Sequence, residues 1–296
     1  MKVKETADFE VLASYITMCS QKGNGVVTIK RKENSIKRFL TKNELSTLNH
    51  ESITSYVHSF CGKSAYYQKR ELDEIKNFLS YCFVQGFISH KLDNSFPNIK
   101  AVKESQIPSV FTENEIKELL FYFSTTDSKT KLRDYAIVLL IALYGLRSID
   151  IAKLNFSELD FDSSTISLAQ SKTGSSINHQ LLAHVGNAVI EYLLNERPEA
   201  KSQLVFLTFE GKGLSSKTIG NIVRKGFVNS GIDIGKRRHG SHSLRHSLAS
   251  NLINQGNSIF TISNVLGQTS VATARLYAKV DISKLKQCAL EIPVYD

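Results

Sequence analysis

The longest apolar stretch of this chain runs for 12 residues, from Tyr135 to Leu146 (YAIVLLIALYGL). It predicts a helix over Arg133–Leu146 that is apolar almost all round and lies at the centre of a core. It is too short to cross a bilayer, which needs about 20 apolar residues. The polar, acidic N-terminus MKVKETADFE does not indicate a signal peptide, so we expect no membrane partner and a cytoplasmic location.

Length and composition are those of a globular protein with two domains. The chain has 296 residues, and roughly 150 residues per domain is the usual scale. A hydrophobic fraction of 42% supplies enough apolar side chains for two cores. Its four cysteines are scattered, without a Cys-x-x-Cys pair, which disfavours a disulfide framework or a zinc ribbon and suits a reducing compartment.

The net charge of +9 suits a polyanionic partner such as nucleic acid. The excess is shared, because residues 1–107 hold 16 basic and 11 acidic side chains and residues 108–296 hold 21 and 17. Two basic domains gripping one duplex would give this distribution. A basic protein with solvated lysines would give it too, so charge alone leaves both possibilities open.

The pattern along the chain predicts a mainly α fold with a small β-sheet. Residues 1–90 show helical spacing and no strand-like alternation, which predicts a four-helix unit. Residues 91–108 contain two of the four prolines and little periodicity, as expected of a linker. Helices then continue after a capping box at Thr112 and Glu115, interrupted by two short strands, 165–171 and 176–182, around the turn Lys172-Thr-Gly.

Four polar features could carry chemistry, and each also has a structural explanation. Arg147 follows the apolar helix and can pair with Asp150 or bind a phosphate. Lys172 lies at a hairpin tip, where most lysines are simply solvated. His242 and Arg245 share a face of a first helical turn, a favourable place for an anion. Tyr277 lies late in a short predicted helix, where most tyrosines pack.

The order and spacing of these features are more specific than any one of them. Arg, then Lys on a turn, then His-x-x-Arg, then Leu-Gly-x, then Tyr nine residues further on, resembles the tyrosine recombinase (phage integrase) family. The matching strings are LYGLRSIDIAKL, SKTG, HSLRHSLASNL and LGQTSVATARLYAKV. The resemblance implies a compact two-domain type: a helical core-binding domain at 1–90, a mixed α/β catalytic domain at 109–281, and a tail at 282–296.

The family resemblance also implies a chemistry. Arg147, His242 and Arg245 would hold the scissile phosphate, where guanidinium donors offset the charge of phosphoryl transfer. Tyr277 would attack phosphorus to form a 3′-phosphotyrosine link, and Lys172 would protonate the departing 5′-oxygen. Strand exchange through a Holliday junction then needs no ATP, metal or other cofactor.

One position departs from the family pattern. The residue after Leu-Gly is usually His or Trp, and here it is Gln268. A Gln amide can donate a hydrogen bond to phosphate, but it carries no charge and exchanges no proton. We therefore expect tuned rather than abolished cleavage, with a catalytically weak architectural DNA-binding protein as the alternative.

The expected partner is double-stranded DNA, bound by a homo-tetramer on two sites, with accessory DNA-bending or directionality proteins. In the family the tail docks on a neighbouring protomer. The biological role would be integration or transposition for a bacterial or phage mobile element, with dimer resolution or inversion as alternatives. The basic residues expected to bind DNA are Lys30, Arg31, Lys37, Arg38, Lys69, Arg70, Lys236, Arg237 and Arg238.

Overall fold

The computed structural model describes residues 2–100, 108–171 and 174–267. The chain divides into two compact units, Met1–Glu104 and Ser105–Asp296. The described parts are mostly helical with one three-stranded sheet, which confirms the predicted fold class. None of the helices in these ranges is long and apolar enough to cross a membrane.

The described part of the first unit contains four α-helices. They pack around a shared core of apolar side chains, of which Ile36, Phe39 and Phe78 are fully buried. Two of the helices begin at N-cap side chains, Asn49 and Ser64, which accept hydrogen bonds from backbone N–H groups of the first turn. The helices are α1 (Lys2–Gln21), α2 (Val26–Leu40), α3 (His50–His58) and α4 (Ala65–Val84).

The second unit packs seven described α-helices and a sheet around one main core and a smaller apolar cluster of Ala249, Ile262 and Leu266. Its central helix is the apolar one, whose residues 136–141 are all buried. The helices are α5 (Glu113–Thr125), α6 (Lys131–Tyr144), α7 (Ser148–Lys153), α8 (Ala183–Asn195), α9 (Ser216–Asn229), α10 (Ser241–Asn254) and α11 (Ile259–Leu266).

The described sheet is antiparallel, in the order β1 (Leu159–Asp160), β2 (Thr165–Ala169), β3 (Ser176–Gln180). In the β2–β3 pair, Ile166 lies opposite His179 and Ala169 opposite Ser176. The backbone of Gln170 closes the turn that follows β2: its N–H donates to the Ser175 carbonyl at 2.9 Å, and its carbonyl accepts from Gly174 at 2.8 Å. The predicted hairpin is therefore present, with strands two residues shorter than expected.

Candidate active site

Arg147 owes its position to the way α6 ends. The sequence predicted a helix through Leu146, but Gly145 adopts a left-handed conformation (φ 62°), and its N–H caps the helix on the carbonyl of Ile141. Leu146 is buried, and the next residue, Arg147, is the N-cap residue of the short helix α7. A Cβ at position 145 would come within 2.5 Å of the Leu266 side chain, so glycine is needed here for packing as well as for conformation.

Arg147 is held by two side chains from within the same unit. Its Nη1 donates to Oε1 of Gln170 and lies 3.9 Å from a carboxylate oxygen of Asp150. The Arg147 side chain is 14% exposed, whereas that of Asp150 is fully buried. The predicted pairing with Asp150 is present, and Arg147 also lines a cavity.

Asp150 also connects to the hairpin. Its Oδ1 accepts a hydrogen bond of 2.8 Å from the backbone N–H of Ser171. Ser171 directly precedes Lys172, which lies outside the described residues. The buried carboxylate of Asp150 therefore links α7 to the start of the turn in which the sequence places the candidate general acid.

Arg245 is held by backbone carbonyl groups of two other segments. It lies on α10 and is 5% exposed. Its Nη1 donates to the carbonyl of Gly145, and its Nη2 donates to that of Leu266 at 2.7 Å. These two carbonyl acceptors fix the guanidinium of Arg245 in place.

The same carbonyl of Leu266 accepts a second hydrogen bond, of 2.8 Å, from Nε2 of Gln170. The chain of contacts Arg147–Gln170–Leu266–Arg245 thus links the two arginines named by the sequence motifs. Leu266 is the last residue of α11, and Gly267 caps that helix in a left-handed conformation (φ 57°).

His242 lies in the first turn of α10 and is exposed. It borders a cavity of about 540 Å³ that Arg147 also lines. At this cavity the hydroxyl of Ser148 donates to that of Ser241 at 2.7 Å, joining the start of α7 to the start of α10. The remaining basic residues at the cavity are Lys217, Arg224, Arg238 and His239, so it is suited to an anion.

His246, one turn after His242, has a different environment. Burial is the main factor that lowers its pKa to about 4, and the nearby His242 and Arg245 lower it further. His246 is therefore neutral at physiological pH and adds no charge to the site.

Three of the predicted site residues, Lys172, Gln268 and Tyr277, lie outside the described residues, and so does the tail 282–296. Their proposed roles stay predictions. Ser171, which precedes Lys172, is hydrogen-bonded to Asp150, and Gly267, which precedes Gln268, directly follows Leu266 in the chain. Within the described ranges, no three His, Cys, Asp or Glu side chains cluster as metal ligands would.

The basic residues of the first unit gather around two buried carboxylates. Glu71 forms ion pairs with Arg38 at 2.5 Å and with Arg70 at 3.1 Å. Burial by itself would raise the pKa of Glu71, but hydrogen bonds from Ser35 and these arginines lower it. Arg31 pairs in the same way with Glu74 at 2.7 Å. The buried carboxylates hold the arginines in fixed positions.

These arginines and Lys30 border an open cavity of about 400 Å³ on the first unit, together with the exposed Val26 and Val27. Lys37 instead pairs with Glu33 at 2.6 Å on the same helix. Lys69 lines a separate cavity beside Asp73 and Lys76.

Arg237 has an internal role that the sequence did not reveal. Its guanidinium lies 4.2 Å from the ring centre of Phe111, pairs with Glu115 at 2.6 Å, and donates to the carbonyl of Val110. The hydrogen bond from Arg237 is the main cause that lowers the pKa of Glu115 to about 2. We therefore leave Arg237 out of the proposed DNA-binding set, while its neighbours Lys236 and Arg238 are exposed.

Residues 109–284 match the phage integrase family. A chain of Sinorhizobium fredii (strain NBRC 101917 / NGR234) named as an integrase/recombinase, y4rA, is 34% identical over 224 residues, which cover 74% of this chain and 53% of that one. The tyrosine recombinase XerD of Listeria innocua serovar 6a is 26% identical over 287 residues, which cover 90% of this chain and 92% of that one. The chain spans about half the length of y4rA and of a second S. fredii relative, y4rF.

Solved structures share the fold. The XerH site-specific recombinase bound to palindromic difH substrate has a TM-score of 0.70 at 17% identity, covering 90% of this chain and 80% of that one. A lambda integrase (75–356) dimer bound to a COC′ core site has a TM-score of 0.69 at 17% identity, covering 97% and 99%. The family match spans more than half of the chain and includes the motifs that supply Arg147, His242 and Arg245. This protein therefore belongs to the phage integrase family.

Proposed function

We propose that this protein is a site-specific DNA recombinase that cleaves and rejoins strands through a 3′-phosphotyrosine intermediate and a Holliday junction. The observation that carries the proposal is the link between Arg147 and Arg245 through Gln170 and the Leu266 carbonyl. Motifs that are far apart in the sequence thereby supply one connected pair of guanidiniums.

The geometry suits phosphoryl transfer because that reaction places negative charge on the non-bridging oxygens of the phosphate. Fixed guanidinium donors stabilise this charge without having to reorganise. His242, in the first turn of α10, adds a ring N–H or an acceptor at a helix end whose dipole favours anions.

The proposed nucleophile is Tyr277, and the proposed general acid is Lys172. A phenol ordinarily ionises near pH 10, so it needs a base or a positive field, and His242 with the two arginines supplies both. The phenolic oxygen bonds to phosphorus, and the 5′-oxygen leaves with a proton from Lys172. The phosphodiester energy is retained in the covalent link, so rejoining requires no ATP or metal.

We propose double-stranded DNA as the partner of both units, contacted by Lys30, Arg31, Lys37, Arg38, Lys69, Arg70, Lys236 and Arg238. A homo-tetramer on two sites is the proposed assembly, supported by the lambda integrase tetramer bound to a Holliday junction among the structures of this fold. The tail 282–296 would join protomers, with accessory DNA-bending or directionality proteins as further partners. Integration or transposition is the proposed role, with dimer resolution and inversion as variants of the same chemistry.

The proposal predicts that Tyr277→Phe abolishes the covalent protein–DNA adduct. The phenylalanine keeps the ring but has no oxygen to attack phosphorus. The measurement is adduct formation on nicked duplexes built from inverted repeats that flank the gene, resolved on denaturing gels. Tyr295→Phe is the matched control and keeps the adduct.

Two outcomes contradict the proposal in different ways. Adduct formation by the Tyr277→Phe protein would overturn the choice of nucleophile. A band shift without any adduct from the unmodified protein would instead favour an architectural DNA-binding protein, the alternative suggested by Gln268.

A further inference from the structure

Gln170 is a buried amide that neither the motifs nor the proposed chemistry accounts for. It directly follows β2, and only 1% of its surface is exposed. Its side chain lies between the two arginines and does not line the cavity that Arg147 and His242 border.

The two ends of the Gln170 side chain are used in different ways. Oε1 accepts from Arg147, which has only donors, and Nε2 donates to the carbonyl of Leu266, which is only an acceptor. This pattern fixes the orientation of the amide. A carboxylate would repel the carbonyl, and an apolar side chain would leave two buried polar groups without these partners.

The backbone around the amide is built to fit it. A Cβ at Gly267 would come within 2.5 Å of Gln170 Nε2. The backbone of Gln170 meanwhile closes the turn that contains Lys172, through hydrogen bonds with Gly174 and Ser175. One residue therefore joins Arg147, the end of α11 and the hairpin turn.

We propose that Gln170 is a positioning residue, which fixes Arg147 relative to Arg245 so that both guanidiniums reach one phosphate. The inference rests on the proposed function and deepens it. In a buried site the two hydrogen bonds are strong and directional, and a guanidinium misplaced by about 1 Å loses much of its effect on the transition state.

The test compares Gln170→Met, which keeps the length of the side chain, with Tyr192→Phe as control. The Tyr192 hydroxyl is also buried and accepts from the Leu207 N–H, but it is not part of the arginine network. Circular-dichroism melts establish a temperature at which both full-length variants are folded.

The first readout is the cleavage rate at saturating DNA. Gln170→Met is expected to lower it by up to about 100-fold, the cost of a catalytic group misplaced by about 1 Å. Tyr192→Phe keeps the rate within about twofold at that temperature, because a lost buried hydrogen bond affects mainly stability. An unchanged rate in Gln170→Met would overturn the inference.

The second readout needs no cleavage. A Tyr277→Phe protein is bound to duplexes in which single linkages are replaced by neutral methylphosphonates. With Gln170 present, replacing one particular linkage with a neutral methylphosphonate is expected to weaken binding by about tenfold, because the charged hydrogen bonds to that phosphate are lost. With Gln170→Met the effect at that linkage falls below about threefold.

The outcomes separate the two proposals. Equal sensitivity at that linkage with and without Gln170 would show that the amide only fills space and would overturn the inference. If the unmodified protein formed no adduct, but binding was still sensitive to that linkage only when Gln170 is present, the proposed function would be overturned and the positioning role would stand.

Discussion

At the scale of single residues, the site depends on Gly267, the glycine of the Leu-Gly-x motif. Gly267 has φ of 57°, and a Cβ there would lie 2.5 Å from both Gln170 Nε2 and Ile177 Cγ2. We expect Gly267→Ala to lower the free energy of unfolding by about 2–4 kcal/mol, the sum of left-handed strain and overpacking. Urea denaturation measures this cost, and cleavage should fall with it because Gln170 is displaced.

Gly231→Ala is the matched control for this substitution. Gly231 has φ of 79°, and a Cβ there would meet nothing within 4 Å. Gly231→Ala should therefore lower the free energy of unfolding only by the cost of the left-handed conformation, about 1 kcal/mol. Equal costs for the two variants would contradict the close approach of Gly267 to Gln170.

The sequence identified Arg147, His242 and Arg245 because their types and order form a recognisable pattern. It did not identify Gln170, because a glutamine beside a predicted turn looks like any polar loop residue. It could not assign Arg237 either: a basic run predicts DNA contact, whereas the pairing with Glu115 and Phe111 exists only once distant elements pack. Partners that are remote in sequence decide what a charged side chain does.

At the scale of elements, the β2–β3 hairpin is tied to its neighbours at the start of its turn and near the far end of β3. Asp150 on α7 accepts from the Ser171 N–H at 2.8 Å, and His179 on β3 hydrogen-bonds the backbone of Val265 on α11. Burial lowers the pKa of His179, which favours the neutral ring. The hairpin is thus anchored where it meets the arginine network.

We expect Asp150→Ala to slow cleavage by about 10- to 100-fold, because the turn bearing Lys172 loses its anchor. The loss should shrink on DNA with sulfur in place of the 5′-bridging oxygen, because a thiolate leaves without protonation. Single-turnover cleavage of the two substrates gives the ratio. Asp150→Asn keeps an acceptor for the Ser171 N–H and should retain more activity. An identical loss on both substrates would show that Asp150 acts on Arg147 alone.

Most helices could be predicted from apolar spacing and capping residues, as the Thr112–Glu115 box that opens α5 shows. The six-residue helix α7 and the two-residue strand β1 could not, because segments so short have no measurable periodicity. The overrun of the α6 prediction has a different origin, because the left-handed conformation of Gly145 ends that helix and not a change in its apolar pattern.

At the scale of the whole molecule, the net charge of +9 predicted a polyanionic partner but not which side chains would contact it. The structure shows that basic residues differ in how far carboxylates hold them. Lys30 is exposed beside the cavity of the first unit, whereas Arg237 is bound to Glu115 in the second. Two residues that count equally toward the net charge should therefore respond differently to substitution.

Lys30→Gln is expected to weaken binding to every duplex sequence alike and to reduce the slope of log affinity against log salt by about one, as loss of one phosphate contact does. Lys201→Gln, at an exposed site away from both cavities, is the control and keeps the slope. Fluorescence anisotropy over a series of salt concentrations measures both. An unchanged slope for Lys30→Gln would remove it from the DNA-binding set.

Arg237→Gln should give the opposite pattern. The salt slope stays the same, while the free energy of unfolding falls by about 1–3 kcal/mol, because a charged hydrogen bond and the packing on Phe111 are lost. The pKa of Glu115 is about 2 in the folded chain, below its usual value. The stabilisation is therefore complete above about pH 4.5 and is lost as the pH falls toward 2. A changed salt slope with unchanged stability would mean that Arg237 leaves Glu115 to bind DNA.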